Sequence, residues 1–178
     1  FDAGLYAFRL KFTDSDVPIF QRAGGRDVSV QSAPAYAQGL IVAADMNGVT
    51  YAIRQTGVVA WSTSLFVAVQ APVTIAESRG RVVVPGMDGK MRILSLYSGS
   101  PLTEAIAAGY LPSAASTDGT LAFVPSPSEG VLYAFDVTTG ALAWAVSDSG
   151  PFTRATPTVS GGRVFWNTGS AVKALNAT

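Results

Sequence analysis

The 178-residue chain contains no cysteine and no histidine. Their absence excludes a disulfide, an iron–sulfur cluster or a thiolate zinc site within the chain. A Ser-His-Asp triad, a Cys-His pair and a histidine metal cluster are excluded as well, leaving carboxylate, lysine, tyrosine or cofactor chemistry. Charge is scarce: 13% of residues are charged, about half the usual ~25%. Twelve basic and twelve acidic residues cancel to a formal net charge of zero. Without a basic face the chain lacks what a nucleic-acid binder needs to neutralise phosphates, and it has no polybasic handle for an anionic membrane. No stretch approaches the roughly 18 consecutive apolar residues of a membrane helix. An initiator methionine and a basic region followed by an apolar run are also lacking, so the expectation is a removed leader or a piece of a longer chain. The hydrophobic fraction of 48% and mean hydropathy of +0.32 are ample for a packed core and exclude intrinsic disorder.

What the chain does have is a repeat. A small residue plus proline opens a segment at Ala33-Pro34, Ala71-Pro72 and Thr156-Pro157, with Ser113-Ala114 as a degenerate copy. Glycine followed by an apolar strand recurs at Gly39, Gly80, Gly119 and Gly162, in steps of 41, 39 and 43 residues. A short strand centred on Ala or Ile recurs at Ala7, Ala52, Ile93, Ala134 and Ala174, in steps of 45, 41, 41 and 40. Three independent landmarks share one period, and such periodicity identifies a repeat architecture.

Eighteen glycines and ten prolines leave little room for long helices. Leu102 to Tyr110 is the one segment compatible with a helix. Between the breakers lie short runs rich in Val, Ile, Phe, Tyr and Thr, separated by turns such as Asn47-Gly48, Asp88-Gly89 and Glu129-Gly130. In the last repeat, Thr156–Ser160 reads as an inner strand, Arg163–Thr168 as the second and Ala171–Leu175 as the third; Ala141–Val146 is the outer strand one repeat earlier. About four strands per ~40 residues is the signature of β-propeller blades. The expected fold is therefore all-β: a propeller of four-stranded antiparallel blades, with about four repeats of ~40 residues in a larger ring. The expected organisation is one propeller domain or fragment over 1–178, with repeats near 1–32 (partial), 33–70, 71–112, 113–155 and 156–178 (partial).

The segment Ala134-Phe-Asp136-Val-Thr-Thr139-Gly140-Ala-Leu-Ala-Trp144 resembles the tryptophan-docking motif of pyrroloquinoline-quinone-like β-propeller repeats, A-x-D-x-x-T-G-x-x-x-W, and matches every specified position. A second copy, Ala52 to Trp61, keeps Ala52, Thr56-Gly57 and the Gly-to-Trp spacing but is one residue shorter and lacks the Asp. A third, Ile93 to Thr103, retains Gly99 and has Thr103 at the Trp position. The resemblance implies structural roles. Gly57 and Gly140 permit tight turns with positive φ. Asp136 accepts turn N–H groups beside Thr139. Trp61 and Trp144 lie flat between adjacent blades, burying a large ring where the sheets meet, and Ala52 and Ala134 belong to the same docking motif. Trp166 reads as a core residue.

Quinoprotein dehydrogenases of this family carry a vicinal cysteine pair above the quinone, a calcium ion held by carboxylate and amide ligands, and an aspartate base. The cysteine pair cannot exist here. The acidic residues Asp14, Asp16, Asp45, Asp88, Glu104, Asp118, Glu129 and Asp148 read mostly as solvated turn residues. Asp45-Met46-Asn47-Gly48 lacks the further ligands of a calcium loop and reads as a β-turn. Gly24-Gly25-Arg26 and Gly161-Gly162-Arg163 lack the Lys-Ser/Thr and following helix of a phosphate loop and read as interstrand turns. No catalytic residue, cofactor or metal is expected in the chain.

Propellers close with roughly four to eight blades, so an arc of this length implies a fragment of a longer propeller, two copies closing one ring, or a four-bladed ring; the first is favoured. The resemblance implies a non-catalytic scaffold for protein–protein interaction, as in the periplasmic lipoprotein that helps assemble outer-membrane β-barrels. Periplasmic or extracellular location follows from the same resemblance. Partners would be proteins, including a second copy or the rest of a longer propeller, with no nucleic acid and no transmembrane segment. Tyr36, Tyr97, Tyr110 and Phe152, aromatics near turns, are the candidate partner-binding residues. The competing readings are a quinoprotein dehydrogenase fragment with its cofactor site in missing blades, and a structural subunit of a larger surface complex.

Overall fold

A computed structural model describes residues 5–7, 20–22, 30–149 and 153–178. The calls on Asp14, Asp16, Gly24-Gly25-Arg26 and Phe152 lie outside them. The chain runs through β1 (Leu5–Ala7) and β2 (Phe20–Arg22), which pair antiparallel. Blade 1 follows as β3 (Ala35–Ala37), β4 (Leu40–Ala44), β5 (Val49–Arg54) and β6 (Val59–Ser64). Blade 2 is β7 (Thr74–Ala76), β8 (Arg81–Pro85), β9 (Lys90–Ser95) and β10 (Pro101–Ile106). Blade 3 is β11 (Ser116–Thr117), β12 (Leu121–Ser126), β13 (Val131–Asp136) and β14 (Leu142–Ser147). Blade 4 has three strands, β15 (Thr158–Ser160), β16 (Arg163–Asn167) and β17 (Val172–Asn176). Every pairing is antiparallel between sequence neighbours, so each blade is a meander. The inner strands β3, β7, β11 and β15 lie side by side. They are short and rich in small residues, as strands crowded around a common axis must be. The fold is the all-β propeller that the repeat period predicts.

Leu102–Tyr110 is not a helix. Leu102–Ile106 belongs to the outer strand β10, with Thr103 opposite Ile93, Glu104 opposite Arg92 and Ile106 opposite Lys90. Strong helix formers such as Leu, Glu and Ala fill the segment, yet propensity is a weak prior that ladder pairing overrides. Among the described residues the only helical turn is a short 3-10 piece, Glu77–Arg79.

The core lies between blades rather than within one. Blade 1 contributes Val42, Ala52 and Trp61 to a cluster shared with Val82, Val84, Leu94 and Leu96 of blade 2. The other face of blade 2 places Val83, Met91 and Ile93 against Ala122, Val124 and Phe135 of blade 3. Phe123, Leu132 and Ala134 of blade 3 meet Val164 and Trp166 of blade 4. The second strand of a sandwiched blade is therefore apolar on both faces: all six residues of β12 are buried. In β16 burial alternates, with Val164 and Trp166 covered and Phe165 exposed.

Full burial of one such side chain contributes about 1.5–3 kcal/mol. Phe123 is fully buried and packs on the Trp144 ring at 5.7 Å between centroids. Phe123→Ala should therefore lower stability by about 3–5 kcal/mol, read as a shifted urea midpoint. A change under about 1 kcal/mol would contradict the interblade core.

Candidate functional site: the blade-docking motif and the two rims

In each complete blade the third and outer strands carry a β-bulge at one motif position. The register shifts between Ala52 and Ile53, between Pro101 and Thr103, and between Ala134 and Phe135. Next to each bulge, a cross-strand pair faces the following blade: Ala52 opposite Trp61, Ile93 opposite Thr103, and Ala134 opposite Trp144. Two of the pairs are small plus large. The third is the reverse, with the larger Ile93 opposite the smaller Thr103, so the volume of the pair is roughly conserved while its members exchange sizes.

The outer-strand residue then reaches the next blade. The Trp61 indole N–H donates to the Leu96 carbonyl at 2.8 Å, and Thr63 donates to the Gly99 carbonyl at 2.8 Å. The Trp144 indole N–H donates to the Ala177 carbonyl at 3.1 Å. Leu96 and Ala177 occupy the same place in their repeats, three residues after Ile93 and Ala174. Thr103 donates to the Thr139 carbonyl at 3.1 Å. The turn glycine of the receiving blade lies beneath this contact. A Cβ on Gly99 would stand 2.5 Å from Trp61 Cδ2, and one on Gly140 would stand 2.8 Å from Thr103 Oγ1. With φ of +71° and +74°, both positions also disfavour any side chain.

The turn chemistry varies with the copy. Asp136 Oδ1 accepts the N–H groups of Thr138 and Thr139, both at 2.8 Å, and the Thr139 hydroxyl at 3.1 Å. The N–H bonds from Thr139 and Thr138 hold its carboxyl below the usual carboxylate range. Ser95 stands at the equivalent place in blade 2 and accepts the Ser98 N–H at 3.3 Å. Gly140 and Gly99 donate to residues four back, Asp136 and Ser95, whereas Gly57 donates to Arg54, three back. That tighter closure accounts for the copy that is one residue shorter.

Antiparallel pairing sorts the loops onto two rims. The turns between second and third strands share one rim with the connectors between blades; the other two kinds of turn share the opposite rim. Tyr36 and Tyr97, exposed at 60% and 65%, belong to the second group. The Tyr36 hydroxyl accepts a bond from Gln55 at 2.7 Å, and the Tyr97 ring lies against Gly80. Tyr110 belongs to the connector rim, where its hydroxyl accepts a bond from Arg154 at 3.1 Å. The structure does not bring these aromatics together.

Nor are the carboxylates uniformly solvated. Asp45 is fully buried and accepts the N–H groups of Asn47 (2.9 Å) and Val49 (2.8 Å) and the Tyr51 hydroxyl (3.0 Å). Those donors take the place of water at the buried carboxyl. Asp88 makes a two-pronged pair with Arg92 at 2.7 and 3.0 Å, and the Arg92 guanidinium holds its carboxyl below the usual range. Glu104 is a strand residue, paired with Lys90 at 2.8 Å, and Asp148 pairs with Lys173 at 2.7 Å. Asp118 accepts the N–H groups of Thr120 and Leu121 in its turn. Among the described residues no group of three or more acidic side chains could hold a metal ion.

One feature has no signal in the sequence. Phe66, in the connector after β6, is 91% exposed and has φ +55°. Left-handed backbone costs a bulky residue about 1–2 kcal/mol. Gln38 also has positive φ (+51°), but it sits beside Gly39 in a tight hairpin turn where that conformation is ordinary.

Residues 98–178 match the family model described as outer membrane protein assembly factor BamB. The repeats are PQQ-like and resemble those of BamB. Among solved structures, BamB from Moraxella catarrhalis aligns with a TM-score of 0.73 at 18% identity over 90% of this chain. The chain spans half the length of that protein, 50%. The computationally designed Ika4 protein aligns with a TM-score of 0.71 at 13% identity, covering 86% of this chain and 94% of that one. A quinohemoprotein alcohol dehydrogenase from Pseudomonas putida HK5 aligns with a TM-score of 0.58 at 19% identity, covering 67% of this chain and 20% of that one. Among curated proteins nothing matches. Identities this low carry the fold and no more. Trp61, Trp144, Gly99 and Gly140 each make a contact from one blade to the next.

Gly99→Ala should lower stability by more than about 2 kcal/mol, because the strain of positive φ adds to the collision with Trp61. Gly161→Ala, at φ +57° with nothing within 4 Å of the new Cβ, should show the backbone cost alone, about 1 kcal/mol. Equal losses in urea unfolding would contradict the docking contact. Asp136 titrates lower in the folded chain than the ordinary 3.8. Its contribution is therefore fully present above that value and lost as pH falls through the folded pKa. The stability gap between wild type and Asp136→Ala should be constant near neutral pH and close in acid; a gap that persists in strong acid would refute the N–H interactions.

Proposed function

We propose that the chain is a non-catalytic propeller scaffold that binds protein partners through its rim loops in an exported or envelope assembly. The observation that carries this reading is the family match over residues 98–178 to an outer membrane protein assembly factor. The docking geometry supports it: Trp61, Trp144, Gly99 and Gly140 serve blade packing, so the rims are left for recognition. Loops on a rigid scaffold are common seats of binding. Zero net charge favours a protein surface over a polyanion. Among the described residues no helix is long and apolar enough to cross a membrane, and the scaffold would act in the periplasm or outside the cell.

A second reading has an observation of its own, the likeness to a quinohemoprotein alcohol dehydrogenase. One experiment separates the two. The natural protein is purified from its source envelope under mild cross-linking, and the same preparation is offered pyrroloquinoline quinone with Ca²⁺ and an electron-accepting dye. The scaffold reading expects stoichiometric co-purification with other envelope-assembly proteins and no dye reduction. Saturable quinone binding with dye reduction would overturn it in favour of the dehydrogenase.

A further inference from the structure

Phe66 is the most exposed large apolar side chain among the described residues, and its backbone is left-handed. Neither property serves the fold. A ring standing in water buries no surface, and a bulky residue in that conformation carries strain that glycine would not. The surrounding frame imposes the conformation. Leu65 N–H donates to the Gly48 carbonyl at 2.7 Å, Val69 N–H to the Asp45 carbonyl at 3.3 Å, and Met87 N–H to the Ala68 carbonyl at 3.1 Å. Gly48 closes the frame, since a Cβ there would stand 2.6 Å from the Val67 nitrogen. The connector is thus tied to the buried Asp45 turn on one side and to blade 2 on the other, with the ring projecting between the ties.

We propose that Phe66 is a pre-organised anchor that inserts its ring into an uncharged apolar pocket on a partner protein. The proposal rests on the scaffold reading above and names the rim and the chemistry of the contact. Ser64 and Leu65, immediately before Phe66, line an open groove of about 340 Å³ with Pro101, Leu102, Arg92 and Glu104. Its charges are neutralised from within the blade, Arg92 by Asp88 at 2.7 Å and Glu104 by Lys90 at 2.8 Å. Such a surface offers no net charge to an acidic peptide, a nucleic acid or an anionic lipid. It fits a neutral lip around an apolar pocket, packed against Leu102, which is 46% exposed. An aromatic ring fixed in advance by its backbone loses little freedom on binding, and buried aromatic anchors dominate interface energetics.

The test places p-benzoylphenylalanine at position 66 of the natural protein in its source cells. The same group at Tyr97, on the opposite rim, serves as control. Irradiation adducts are identified by mass. In parallel, Phe66→Gly and Phe66→Asn are compared with wild type for thermal midpoint and for co-purification of the cross-linked protein. The expected result is one protein adduct, specific to position 66. Both variants should keep or exceed the wild-type midpoint and lose about thirtyfold of the partner, as for a hot-spot aromatic. A lower midpoint for Phe66→Gly would make the ring structural and overturn the proposal. Lipid adducts, or adducts equally strong at Tyr97, would overturn it too. If both variants retain the partner, the anchor fails and the scaffold reading stands; if the wild type retains no protein partner, both fail.

Discussion

The architecture depends on one contact repeated along the chain: a side chain of the outer strand laid over the turn glycine of the next blade. Trp61 over Gly99 is its fullest form. A sheet with two apolar faces cannot stand alone in water, so a blade is stable only between neighbours, and the docking contact sets the distance at which they meet. Glycine is needed there for two reasons that coincide: positive φ in the turn, and the absence of a Cβ under the ring. The pair of Ile93 and Thr103 shows how the contact tolerates erosion. When the ring is lost, the opposing alanine becomes larger, and the glycine of the next blade stays.

This use of the motif constrains function. Side chains that face each other between blades are withdrawn from solvent, and the charged residues are largely engaged locally. Asp45 is buried among hydrogen-bond donors, and Asp88, Glu104 and Asp148 each have a cationic partner. Exposed apolar and aromatic side chains lie both on loops, as Phe66 and Tyr97 do, and on strands, as Ile106, Leu142 and Val172 do. The two rims differ: Tyr36 and Tyr97 occupy one, Tyr110 and Phe66 the other. A partner that spans one rim therefore meets only part of the exposed aromatic surface.

The fold was legible because period, turn chemistry and strand composition agree. The glycine-punctuated turns and the ~40-residue spacing admit few architectures. Leu102–Tyr110 was misleading because Leu, Glu and Ala dominate it, and a single outer strand carries no alternation strong enough to outweigh helix propensity. Its pairing with β9 decided the matter. Asp45 looked like an ordinary turn residue because its side-chain donors, from Asn47, Val49 and Tyr51, are local in sequence, whereas its burial depends on the connector that folds over the turn and bonds the Asp45 carbonyl through Val69.

By itself the sequence determined the repeat, the all-β class and the kinds of chemistry the chain lacks, because these follow from residue types and their spacing along the chain. Tertiary structure alone decided which blade receives each tryptophan, which aromatics share a rim, and that Phe66 stands strained and exposed. A backbone dihedral and a side chain's exposure are properties of the packed neighbourhood. The frame around Phe66 joins the turn at residues 45 and 48, brought to the connector by pairing within blade 1, to residue 87, brought there by the stacking of blade 2.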